Sequence, residues 1–146
     1  MEIEGEFAGA VARLQRRGPE ELATFIVSLL CGAPPGVRSY VEAFTAAAEP
    51  TQVATIVRRE IGALRLGERE YDVRHRRSPE IVARAGYTLG IIERVVLPSD
   101  VALARKLLCE LLDAEQQIAE HAYDDDYGAE ELFARVRSLL SATTEG

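Results

Sequence analysis

Apolar residues return at three- and four-residue steps along almost the whole chain, and proline or glycine interrupts them at short intervals. That rhythm leaves room for amphipathic helices and almost none for strands. It is clearest from Ser99 to Leu140. Pro98 closes what precedes it, because proline cannot continue a helix interior. Ser99 or Asp100 then supplies a capping oxygen. Val101, Ala104, Leu108, Leu111, Ile118 and Ala122 form one stripe, interrupted only at Glu115. Leu103, Leu107, Leu112 and Ala114 widen it, so the predicted helix from Ser99 to Ala122 meets neighbours on more than one side. An acidic turn, Asp124-Asp125-Asp126-Tyr127-Gly128, follows. Asp126 is placed to cap a last helix carrying Leu132, Phe133, Val136, Leu139 and Leu140.

The earlier segments read the same way. Ile3, Phe7, Ala10, Val11 and Leu14 make a first stripe, closed at Gly18. Pro19 opens a second, with Leu22, Phe25, Ile26, Leu29 and Leu30. After the turn Ala33-Pro34-Pro35-Gly36 comes a third, with Val37, Tyr40, Val41, Phe44 and Ala47 inward. Thr51 caps a fourth, with Val53, Ile56, Val57, Ile61 and Leu64 inward. Residues 68–77 are charged and carry no stripe, so they read as an exposed loop. Ser78-Pro79-Glu80 starts a helix whose Ile81, Ala85, Leu89, Ile92 and Val96 face one way and Tyr87, Ile91 and Val95 another. Such a helix is central. Gly86 and Gly90 lie on it, and each costs about 1 kcal/mol relative to alanine. Close approach of a neighbouring helix is the expected compensation.

The expected fold is all-α: about seven antiparallel amphipathic helices as stacked helical hairpins, either helical-repeat-like or an irregular bundle. The 146 residues suffice for one domain, 1–146, with a natural subdivision into 1–66 and 78–142 joined by the charged loop. A hydrophobic content of 47% excludes wholesale disorder. The acidic first residues do not resemble a signal peptide, and no apolar run approaches a membrane span. A cytoplasmic protein is expected. Cys31 and Cys109 sit in apolar patterns and read as buried reduced thiols.

The second half also has a family cadence: Tyr71-Asp72-Val73-Arg74, then an alanine-rich apolar helix, then Ala102-Leu103-Ala104 through Leu111-Leu112, then the acidic turn. Over residues 57–142 this resembles an uncharacterised bacterial helical-repeat family, similar to the helical segment that follows the zinc module in SWIM zinc-finger proteins. In that family the acidic turn reads Asp-Asp-Ser-Asp-Gly; here Tyr127 stands where its fourth acid would be. The family's zinc-ligand set is absent. The resemblance implies a helical-repeat scaffold with no assigned enzymatic activity.

Candidate chemistry was weighed residue by residue. An EF-hand starting at Asp124 would need glycine sixth and an acid twelfth. Those positions hold Ala129 and Arg135, so that reading fails. His121, near Glu120 and Asp124, would need ligands from another helix to hold a metal, and His75 sits among arginines. There is no glycine-rich phosphate loop, nucleophile elbow or zinc-ligand pattern. No catalytic residue, cofactor or metal ligand is assigned, and an enzyme is disfavoured.

Charge is the remaining signal. The net charge of −7 argues against non-specific nucleic-acid binding by the whole surface. Arg58, Arg59, Arg65, Arg69, Arg74, Arg76, Arg77 and Arg84 crowd residues 58–84, whereas 107–134 carries nine acids and no lysine or arginine. Three uses of the arginines compete: pairing with the acidic half within or between chains, a solvated loop, or contact with nucleic acid or phosphate. The leading expectation is a non-enzymatic helical scaffold that binds another protein or self-associates through these complementary surfaces. Arg69, Arg74, Arg76, Arg77, Asp124, Asp125 and Asp126 are its partner-binding candidates. The alternatives are a nucleic-acid-associated accessory protein using the arginines, and a metal-dependent enzyme using the C-terminal carboxylates and His121.

Overall fold

A computed structural model of the chain describes residues 3–66, 80–121 and 128–145. Eight α-helices and no strand occur among them, as the all-α reading requires: α1 (Ile3–Gln15), α2 (Pro19–Leu30), α3 (Pro35–Thr45), α4 (Pro50–Leu66), α5 (Glu80–Ile91), α6 (Val101–Asp113), α7 (Glu115–His121) and α8 (Gly128–Glu145). The chain divides into two compact units, Met1–Ala33 and Pro34–Gly146.

The first unit holds two helices, α1 and α2. Gly18 is extended, with φ −69° and ψ 151°, and Pro19 opens α2. Glu20 and Glu21 lie in the first turn, where acids suit the helix dipole. No residue of α2 is buried.

The second unit holds the core. Val53, Ile56, Val57, Ile61 and Leu64 of α4 are buried, as their spacing predicts, and so are Ile81, Ala85, Leu89, Ile92 and Val96. Leu107, Leu108 and Leu111 of α6, Ile118 of α7 and Phe133 and Val136 of α8 complete it. Helix α5 touches α3, α4, α7 and α8, which bears out its central position. Because α4 also packs on α6 and α7, neighbours in space are not always neighbours in sequence, and this unit is an irregular bundle.

Two tight contacts set how α3 lies on α5. A Cβ at Gly90 would come within 2.7 Å of the Tyr40 ring. A Cβ at Gly36 would stand 3.1 Å from the Tyr87 ring and 3.2 Å from Cγ of Arg84. Tyr40 and Tyr87 meet edge to face, with centroids 6.3 Å apart. The close approach expected on α5 is therefore met at Gly90 but not at Gly86, which faces open space. This packing also turns α3 from its predicted face. Gly36, Ser39 and Ala43 are buried, while Phe44 is exposed. The small residues go inward because the tyrosines already fill the gap.

Other expectations need correction. The helix predicted to run to Ala122 breaks at Ala114, whose amide bonds to Leu111 three residues back. Ala114 and Ile118 are both buried, so the apolar phase continues across the break and hides it from periodicity. Thr51 lies inside α4, which Pro50 opens; Glu49 accepts the first amide bonds with its carbonyl. Asp100 rather than Ser99 caps α6, accepting from the Leu103 amide at 3.0 Å. Cys31 and Cys109 are exposed, not buried: each sits beside an apolar stripe, not on it. A π-helical turn, Ile92–Val96, prolongs α5. Pro98 cannot donate to the ladder beyond it, and the hydroxyl of Ser99 donates to the Val96 carbonyl at 3.2 Å.

The two glycines of α5 predict opposite outcomes. Gly90→Ala forces the Tyr40 ring to move and is expected to lower stability by about 1–3 kcal/mol. Gly86→Ala meets nothing and is expected to raise it by up to about 1 kcal/mol. Urea denaturation of the two variants measures both. Equal losses would contradict the packing of α3 on α5.

Candidate functional site

The most buried ionic group among the described residues joins α4 to α5. Glu60 follows Val57 by three residues and Ile56 by four, and precedes Leu64 by four. That spacing puts it on the core stripe of α4. It is 1% exposed. Arg84 of α5 donates from Nη2 to Glu60 Oε2 at 2.6 Å and from Nε to Oε1 at 3.4 Å. Beside this pair, Thr88 donates its hydroxyl to the Arg84 carbonyl at 3.1 Å. Arg59 donates to Ser39 Oγ at 3.1 Å and to Glu42 at 2.8 Å, tying α4 to α3. Arg94 reaches the Tyr40 hydroxyl at 3.4 Å. No buried side-chain polar atom among the described residues lacks a partner.

This cluster is a fastening. Its physical role is to fix one rotation of α4 against α5. Any other rotation would bury a charge unpaired.

The charged faces are partly spent in the same way. Arg58 of α4 holds Glu110 of α6 through three contacts of 3.0–3.3 Å. The hydrogen bond to Glu110 raises the Arg58 pKa, against a lowering by burial. Arg65 donates to Gln117 of α7 at 2.9 Å, and His121 Nε2 lies 3.3 Å from the Arg65 carbonyl. Arg135 and Arg137 of α8 pair with Glu93 and Glu115. Internal pairing between the basic stretch 58–84 and the acidic stretch 107–134 is thus realised at Arg58 and Glu110. Exposed pairs of this kind contribute about 0–1 kcal/mol each. Asp113, Glu120, Glu130 and Glu131 remain exposed.

The predicted partner-binding residues Arg69, Arg74, Arg76, Arg77, Asp124, Asp125 and Asp126 lie outside the described residues, as does His75. No group of three or more histidine, cysteine, aspartate or glutamate side chains among the described residues is arranged to hold a metal. Sequence reasoning did not single out Glu60. Its signal was phase: a charged residue on an apolar helical stripe needs a partner. The reasoning also registered α2 only as a stripe. In the structure Phe25 is 55% exposed, Val27 61% and Leu29 57%.

Arg84→Ala leaves Glu60 buried without its counter-charge and is expected to cost about 3–5 kcal/mol. The double variant Glu60→Leu/Arg84→Met removes both charges and is expected to recover most of that loss. Chemical denaturation of Glu60→Leu, Arg84→Met and their double variant gives the coupling. Additive losses would contradict a fastening pair. Comparison of the chain with family models, curated proteins and solved structures gives no match.

Proposed function

We propose that the chain is a non-enzymatic helical scaffold whose task is to bind a protein. The observation that carries this reading is the exposure of Phe25, Val27 and Leu29 on α2. Isolated exposed apolar residues mean little, but several large ones on one short helix mark an interaction surface. The second unit supports the reading from the other side, because its buried polar groups serve one another. The resemblance over residues 57–142 points to a scaffold as well.

Charge supplies steering in this account. The exposed acids Asp113, Glu120, Glu130 and Glu131, with Asp124 to Asp126, attract a basic partner surface. Arg69, Arg74, Arg76 and Arg77 attract an acidic one. Such charges set association rate and specificity more than affinity. No helix among the described residues is long and apolar enough to cross a membrane. Two exposed thiols outside any disulfide suit a reducing compartment, and we place the protein in the cytoplasm.

Cross-linking of the full chain in its host, followed by affinity capture, tests this reading. A specific cross-linked protein is expected, either another copy or a different chain, and Phe25→Glu/Leu29→Glu is expected to abolish it. Arg74→Glu/Arg76→Glu/Arg77→Glu is expected to slow its capture and change the salt dependence. Absence of any specific cross-link, or an unchanged pattern in both variants, would contradict the proposal.

A further inference from the structure

The second unit is irregular in outline, but its helices fall into a common register. We infer that it is built by repetition: α3–α4 is one helical hairpin, α5–α7 is a second copy stacked on it in parallel, and α8 opens a third. This goes beyond the protein-binding reading and stands or falls without it.

Burial repeats along the chain. Gly36, Ser39, Ala43 and Ala46 make the buried row of α3. About 49 residues later Ala85, Thr88, Ile92 and Val95 are buried at the same steps. Ala54, Val57, Ile61 and Leu64 form a buried row on α4, and about 50 residues later Ala104, Leu107, Leu111 and Ala114 form one on α6 and its C-terminal cap. About 48 residues beyond Ala85 and Thr88 stand Phe133 and Val136 of α8, both buried, and Leu140 keeps the same step from Ile92. Helices α4 and α5 bury further residues because each packs on several neighbours. Any two amphipathic helices can be laid in phase by some shift. Here three successive comparisons require nearly the same one.

The matched helices are also neighbours in space, and they run the same way. Gly36 of α3 lies against Arg84 and Tyr87 of α5, and Tyr40, about one turn further on, lies against Gly90 and Arg94. Helix α3 is therefore parallel to α5. Arg58 of α4 holds Glu110, and Arg65, two turns on, holds Gln117, each bond spanning 52 residues. Helix α4 is therefore parallel to α6 and α7. Parallel helices cannot be joined by a short turn. Each is reached through the helix between, as in a stack of hairpins. The links agree as well: residues 46–49 join α3 to α4, and residues 97–100 join the π-helical turn to α6.

The chemistry of the rows follows the same register. Ser39 and Thr88 are the buried hydroxyl side chains among the described residues, and they occupy one position of the two copies. Only Ala54 and Ala104 are identical among the matched pairs, so the repetition lies in burial and packing rather than in residue identity. In such a stack each hairpin leans on the next, and the array can lengthen without closing on itself. Helix α3 packs on α4 and α5, whereas α8 packs on α5, α6 and α7.

Insertion of one more copy tests this. In one variant of the full chain a second copy of residues 79–127 follows Tyr127. In another, with the same period cut one helix later, a second copy of residues 50–100 follows Asp100. A repeat accepts an extra turn at either place. The expected product has a helical fraction by circular dichroism no lower than the parent's and a melting midpoint at or above it. Its inserted helices should be protected from hydrogen exchange as strongly as the original α4 and α5. That result from either insertion carries the inference. Unfolded or aggregated protein from both would overturn it. So would a folded parent core in which both inserted segments exchange like unfolded chain, because a closed bundle expels what it cannot pack.

Discussion

Arg84 is the residue on which the second unit turns, because one side chain serves two interfaces. Its guanidinium holds the carboxylate of Glu60 on α4, in a site nearly closed to water. Its stem lies where a Cβ on Gly36 of α3 would press, with Cγ at 3.2 Å. The charged head fixes the rotation of α4, and the apolar stem fixes the approach of α3. A buried ion pair adds little net stability over well-packed apolar residues. Its consequence here is selection of one arrangement among several that an alanine- and valine-rich bundle would otherwise tolerate. The glycine contacts at Gly36 and Gly90 enforce the same arrangement sterically, and Arg59 repeats it at the rim through Ser39 and Glu42.

Much of this was legible in the sequence where periodicity is the governing physics. The inward faces of α4 and α5 follow from three- and four-residue spacing. The central place of α5 follows from its having two apolar faces. What periodicity could not show is where helices touch by being small. The face of α3 was misread because large apolar residues look buried, whereas Gly36, Ser39 and Ala43 are buried beside Tyr40 and Tyr87. The break at Ala114 was invisible because its apolar phase runs through unbroken. Glu60 looked like one more acid in a charged stretch, since a single sequence does not show which charge finds its partner 24 residues away. The division between basic and acidic stretches was plain in composition. Its partial use inside the chain, through Arg58 and Glu110, depends on α4 lying against α6.

The two units answer the same requirement differently. The described residues of the second unit bury an apolar core and satisfy their buried polar side chains internally. The first unit holds α1 and α2, and no residue of α2 is buried.

Hydrogen exchange across a range of protein concentrations tests this division most directly. Amides of α4, α5 and α6 should be protected to the global stability of the second unit and be indifferent to concentration, because their burial is within one chain. Amides of α2, where no residue is buried, should exchange fast in dilute protein. Protection of α2 that matches α4 in dilute protein would show that α2 needs no cover from another protein, and would contradict the account.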